Sequence, residues 1–229
     1  MSGHFHTPDL TRRTFARTNR QTVEQRVALL REFFPQGVHS VGELCCGDCS
    51  RQHAAYISQL GVERYRAVDL EPAIVEANQE RGIECVQGDV TSPEVLRPFL
   101  DFEVLFYGPP LSVECDAHRL LSFREVVPPF ADVAALLFGT LGYDGTLVCI
   151  APNSTTLGDA RWLYTQVREV RPDVGLRLIH HSFSTVTGSD EPTEPRRKYV
   201  ELWLSTRLDD AWEVRESRPT AESPSASGA

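Results

Sequence analysis

The chain has 229 residues, is 41% hydrophobic and carries a formal net charge of -9, enough material for one well-packed domain and too little for two large ones. That negative total excludes a protein that coats nucleic acid indiscriminately, because neutralising phosphates needs a basic surface. Apolar runs fall well short of the roughly 20 residues that a spanning helix needs, and no stretch reads as a secretory signal, so the sequence predicts a cytoplasmic protein without a membrane partner.

Residues 1–19 have no apolar period and are read as a flexible basic arm. Over residues 1–34, Arg12, Arg13, Arg17, Arg20, Arg26 and Arg31 face only Asp9, Glu24 and Glu32, an excess that suits either a solvated leader or a polyanion contact. The folded domain is expected over 20–208. Val23, Val27, Leu30 and Phe34 recur at helical spacing and stop at Pro35-Gln36-Gly37. Val38 to Cys45 predicts a first strand. Gly47-Asp48-Cys49-Ser50 turns it into a helix carrying Ala54, Ala55, Ile57 and Leu60 up to Gly61.

Tyr65 to Leu70 predicts the second strand, and Glu71-Pro72 opens a helix with proline where its missing N–H costs nothing. Gly82 ends that helix. Ile83 to Gln87 and Val104 to Tyr107 are the third and fourth strands, with a short helix started by Thr91-Ser92-Pro93-Glu94 between them. A helix over Phe130 to Leu141, a strand over Thr146 to Ala151 and a helix over Leu157 to Val170 follow. Leu176 to Phe183 and Tyr199 to Leu204 are the last two strands. Residues 209–229 end in Glu-Ser-Pro-Ser-Ala-Ser-Gly-Ala and are read as a disordered tail, too polar to offset the entropy of ordering.

Alternating strands and helices predict an α/β fold: a three-layer α-β-α sandwich around a mostly parallel seven-stranded sheet. The last strand is expected to run antiparallel, because only the loop 184–198 joins it to its predecessor and a parallel return needs a crossover element. Six cysteines, at 45, 46, 49, 85, 115 and 149, lie mostly in or beside strands and are read as reduced thiols rather than a disulfide framework.

In an open parallel sheet, ligands bind beyond the carboxyl ends of the strands, and four strand ends here carry suggestive residues. Glu43-Leu44-Cys45-Cys46-Gly47-Asp48-Cys49 runs a strand into a tight turn and a helix whose first N–H groups are free. Asp69 sits near the end of the second strand, where a carboxylate can accept both ribose hydroxyls. Gly88-Asp89-Val90 follows the third strand, and Tyr107-Gly108-Pro109-Pro110-Leu111 makes a rigid turn after the fourth. The G-x-G-x-x-G fingerprint of nicotinamide enzymes is absent.

This series resembles the class I (Rossmann-like) S-adenosyl-L-methionine (SAM) dependent methyltransferases over roughly residues 38–205. The resemblance implies SAM as cofactor. Glu43, Cys45, Gly47 and Cys49 would then hold its methionine part, Asp69 its ribose and Asp89 its adenine amino group, with Leu70 and Val90 beside them. Where that family has three glycines, this chain has Cys45, Gly47 and Cys49.

Tyr107-Gly108-Pro109-Pro110 is similar to the Asn/Asp-Pro-Pro-aromatic motif of enzymes that methylate planar amino groups. It makes these four residues the candidates at the transfer step. Gly108 stands at the polar position and Leu111 at the aromatic one, so a side-chain acceptor and a stacking ring must come from elsewhere, Tyr107 being the candidate ring. The rival reading of the diproline is a plain rigid turn.

Cys46-Gly47-Asp48-Cys49 has the C-x-x-C spacing of redox and zinc sites. His53 could add a third ligand but no fourth is near, so no metal is expected. Asp116 and His118, in the long segment 111–129, could form a base pair or simply surface hydrogen bonds. His180 and His181 are read as structural, and Arg196-Arg197-Lys198 as a solvated turn or an anion contact.

The sequence therefore predicts a SAM-dependent methyltransferase. Its acceptor would be an amino group in nucleic acid, favoured by the diproline turn and basic arm, or a small metabolite, favoured by the acidic total. A non-catalytic SAM or nucleotide sensor is the alternative.

Overall fold

The computed structural model describes residues 23–108, 128–151, 157–183, 197–209 and 211–217. The elements in chain order are helix α1 (23–33), strand β1 (Ser40–Leu44), helix α2 (Ser50–Ala55) extended by a π-helical turn (Tyr56–Leu60), strand β2 (Arg64–Asp69), helix α3 (Pro72–Gln79), strand β3 (Cys85–Gln87) and helix α4 (Pro93–Leu96). Strand β4 (Val104–Tyr107), helix α5 (Pro128–Ala135), strand β5 (Thr146–Ala151), helix α6 (Leu157–Val170) and strands β6 (Gly175–Phe183), β7 (Arg197–Ser205) and β8 (Ala211–Ser217) complete it. The expected arm over 1–19 and the segment 111–127, with Asp116 and His118, lie outside the described residues.

The strands form one sheet in the order β3-β2-β1-β4-β5-β7-β6-β8. Strands β1 to β5 pair in parallel, and β7 runs antiparallel to both β5 and β6. This is the α/β, mostly parallel arrangement with an antiparallel seventh strand that the chain pattern predicts. One correction applies to the expected tail: Ala211–Ser217 adds an eighth strand, parallel to β6. The polar composition of this end masked it, yet an edge strand needs only one neighbour and tolerates charge.

Helices cover both faces. On one, Val27 and Leu30 of α1, Tyr56 at the end of α2 and Val75 of α3 pack on Val41, Ala67, Phe106, Val148 and Trp203. On the other, Leu96 of α4, Val133 and Leu137 around α5, and Leu163 and Val167 of α6 pack on Leu44, Val68, Leu105, Leu147 and Leu204. Residues of odd and even number along β1 and β4 divide between the two cores, as a pleat of period two requires. An aromatic column anchors the first face: Tyr56 stacks on Phe106 at 5.7 Å, and Trp203 meets Phe33 edge-on at 5.0 Å. Such pairs add about 0.5–1.5 kcal/mol each beyond area burial.

Gly42 in β1 is required by close approach. A Cβ there would stand 2.5 Å from Leu105 Cδ2 and 2.9 Å from Phe99 Cδ1. Gly42→Ala is therefore expected to cost about 1–3 kcal/mol by overpacking, read as a lower urea midpoint at unchanged slope. No helix among the described residues is long and apolar enough to cross a membrane.

Candidate functional site

Strand order reverses beside β1, whose neighbours are β2 on one side and β4 on the other. A crevice at the carboxyl edge belongs at such a switch point. The register sets Leu44 against both Val68 and Tyr107, and Asp69 against Gln87. The segments after β1, β2, β3 and β4 thus leave the sheet side by side. Backbone bonds tie them together: Cys46 N–H donates to the Val68 carbonyl (3.1 Å), Gly88 N–H to that of Asp69 (3.0 Å) and Gly108 N–H to that of Leu44 (3.3 Å).

The turn after β1 keeps a left-handed backbone at two positions. Gly47 has φ 55°, and Cys45, with φ 56°, is the one non-glycine residue among those described with positive φ. A side chain in this region costs about 1–2 kcal/mol relative to glycine's freedom. Cys45 thus holds the conformation for which the resembled family uses glycine. Its thiol is pushed up to about 12 by burial and by the nearby charges of Asp69 and Asp89, so it is a neutral thiol facing the ends of β2 and β3 rather than a nucleophile. Cys45→Gly is expected to be about 1 kcal/mol more stable than Cys45→Ala, because only the alanine retains a Cβ in the left-handed region. Urea denaturation of the two variants checks this, and an alanine variant equal to or above the glycine one would contradict it.

Asp69 closes the turn. Its Oδ2 accepts the Gly47 N–H at 2.9 Å and its Oδ1 the Glu71 N–H at 3.0 Å. Each carboxylate oxygen retains a second lone pair for a ligand hydroxyl. Leu70, next in the chain, is 65% exposed, an apolar surface beside that carboxylate. Asp89 is exposed at the end of β3 and accepts from Thr91 N–H (2.9 Å) and Thr91 Oγ (2.7 Å), while Val90 is buried beneath it. Above Gly47 nothing lies within 4 Å of where a Cβ would stand, leaving room for a ligand.

Other predicted residues sit deeper. Glu43 and Cys49 are both buried under the turn in the core shared with α1 and α2. Burial raises the Glu43 carboxyl to about 7; the Arg26 charge lowers it, the Glu201 charge raises it, and the Tyr56 hydroxyl lowers it. Its Oε1 has no hydrogen-bond partner. Cys49 begins α2 without a side-chain cap. The Tyr107 ring is buried in the opposite core, so it offers no stacking face to an acceptor as placed; burial, with nearby Cys45, Cys149 and Asp89, holds its hydroxyl far above its ordinary value. Gly108 leaves the sheet with its Cα facing Ile150. Pro109 and Pro110 lie outside the described residues. His53 is half-buried edge-on to Tyr65 at 5.0 Å, burial lowering its pKa. Among the described residues, no group of three or more His, Cys, Asp or Glu could hold a metal ion.

Sequence reading missed Asn78. Fully buried on α3, it donates through Nδ2 to the Gly47 carbonyl at 2.8 Å and so holds the turn from below. The available signal was a polar residue three positions after Val75, on the helix's apolar face. Arg81 at the end of that helix also pairs with Asp48 Oδ1 at 2.9 Å, fastening the turn from outside.

No family model matches the chain, and no curated protein does. Solved structures share its fold. The plantazolicin methyltransferase BpumL, in complex with a pentazolic desmethylPZN analog and SAH, aligns with TM-score 0.57 and 11% identity over 86% of this chain and 89% of its own. The methyltransferase domain of bacterial CtHen1 aligns at 0.53 and 14% identity, over 82% of this chain and 98% of that domain. Precorrin-6y C5,15-methyltransferase from Geobacter metallireducens GS-15 aligns at 0.50 and 13% identity, over 78% and 84%. The fold is that of the class I SAM-dependent methyltransferases.

Proposed function

We propose that the chain is a SAM-dependent methyltransferase whose cofactor lies across the carboxyl ends of β1 to β3. The observation that carries this reading is the left-handed turn at Cys45 and Gly47, bonded to the Asp69 carboxylate at the switch point of the sheet. The shared fold supports it, as does the SAH held by one of the fold neighbours. In this reading Gly47 and Cys45 offer backbone to the methionine part, Asp69 accepts the ribose hydroxyls, and Asp89 accepts from the adenine amino group, with Leu70 packing beside it. Glu43 and Cys49 act from beneath, by shaping the turn.

When bound, SAM supplies a methyl group that is electrophilic without further activation. The chain's residues then have to align an acceptor and exclude water. The end of β4, at Tyr107, Gly108, Pro109 and Pro110, is where the acceptor would stand, either an amino group in nucleic acid or a small metabolite. The absence of a side chain at Gly108 favours one rival, a sensor that binds SAM without transferring the methyl.

Calorimetry with SAM and S-adenosylhomocysteine (SAH) tests the cofactor, with saturable binding expected; no binding at high micromolar ligand would sink the reading. Labelled-methyl transfer to tRNA, DNA and a metabolite extract then separates enzyme from sensor.

A further inference from the structure

Three thiols meet beneath the turn. Cys46, Cys49 and Cys85 are each at least 94% buried, and the Cys46 and Cys85 sulfurs stand 3.7 Å apart, a thiol–thiol hydrogen bond between free cysteines. They reach each other across β2 on the face that presents Ala67, whose small side chain leaves the passage open. Asn78 Nδ2, while holding the Gly47 carbonyl, also lies 3.7 Å from Cys46 Sγ and 4.0 Å from Cys85 Sγ.

From this geometry we propose that Cys46 and Cys85 are a modification site: a thiol pair that hydrogen peroxide converts to a disulfide, tying the turn after β1 to β3. Hydrogen bonds from Cys46 and Asn78 hold the Cys85 thiol below its ordinary value, whereas hydrogen bonding to Cys49 and Cys85, together with burial, pushes Cys46 up. Either sulfur can attack first; with Cys85 attacking, Cys46 resolves, and the crosslinked product is the same.

The Cys85 sulfur attacks one peroxide oxygen, the O–O bond breaks, and the second oxygen leaves as water, giving a sulfenic acid. The Cys46 sulfur then attacks the Cys85 sulfur, the S–O bond breaks and a second water departs. Two thiols are oxidised, one peroxide is reduced, and both thiol protons end in water. A disulfide needs about 2.05 Å between sulfurs, so closure must shorten the present 3.7 Å separation and locks the residue before Gly47 to β3. The effect on cofactor affinity rests on the function proposed above; the crosslink does not.

The test is peptide mass mapping of the full chain, digested without reductant after peroxide treatment, with SAH calorimetry on reduced and oxidised samples. Expected are a Cys46–Cys85 crosslink that dithiothreitol reverses and an SAH dissociation constant raised at least tenfold. Cys85→Ser should lose the crosslink, and Cys49→Ser, which serves if Cys85→Ser does not fold, should keep it. No crosslink, or only a Cys46–Cys49 one, would overturn the proposal. Lack of SAH binding by the reduced protein counts against the cofactor reading alone, since the crosslink is read by mass.

Discussion

Asp69→Ala is expected to weaken SAH binding by at least about a hundredfold. Two losses combine. A charged carboxylate accepting two ribose hydroxyls contributes about 1.5–3 kcal/mol per bond, so losing both removes a factor on the order of a hundred or more. The substitution also strips the Gly47 and Glu71 N–H groups of their shared acceptor, which loosens the left-handed turn of the proposed site. Asp69→Asn separates the two. Its amide oxygen can still accept one backbone N–H, but the negative charge is gone, so the turn should hold better than in the alanine variant while affinity still falls. Calorimetry read beside urea denaturation distinguishes lost contacts from a collapsed turn. Binding untouched in Asp69→Ala would place the ligand elsewhere.

The parts of this site that could be read in the sequence were those with local causes. Strands β4 and β5 and helix α6 fall where hydrophobic period and breakers put them, because each begins and ends at a turn signal of its own. The antiparallel β7 followed from the short connection before it. Strand β8 was hidden by its setting: Trp212-Glu213-Val214-Arg215 alternates at the strand period, but it lies in a polar end, and its pairing depends on a partner strand 34 residues earlier in the chain (Arg177 against Ala211). Cys45 shows the same division. Its place in the motif is legible, but only the backbone reveals that a side chain is held at φ 56°. Asn78 supports the turn from 31 residues away; its local trace is a polar residue on the apolar face of α3, which does not say what it holds.

Arg26 is the sharpest case. Counted by charge, it belongs to a basic arm; in the fold it is 4% exposed. Its Nε donates to Glu201 Oε1 at 3.1 Å, with its guanidinium 5.0 Å from the Phe106 ring centre, and Trp203 Nε1 donates to the other Glu201 oxygen at 3.1 Å. Glu201 lies in the middle of β7, and Glu43 shares the same sheet face, so Arg26 stands beside two buried carboxyl groups. Burial is what raises the Glu43 carboxyl; the Arg26 charge opposes that rise and the Glu201 charge adds to it.

Arg26→Met, which keeps most of the side-chain volume, is therefore expected to cost about 3–5 kcal/mol, the usual price of breaking a buried pair from one side. The loss should depend on pH. In the unaltered chain the folded-state value of Glu43, about 7 against an ordinary 4.5, means the folded protein binds the proton more tightly than the unfolded one. Its contribution to stability is fully present below about pH 4.5 and disappears as pH rises through about 7, a fall of roughly 3 kcal/mol across that window. Glu43→Gln should flatten this part of the profile, because the amide does not ionise. Arg26→Met should steepen it, because Arg26 is the charge that lowers the Glu43 value, so the variant should lie closest to the unaltered chain near pH 5 and furthest from it near pH 8. Urea denaturation at those two pH values measures the difference. An Arg26→Met deficit equal at both would show that the guanidinium acts through packing on Phe106 rather than through the buried carboxyl groups.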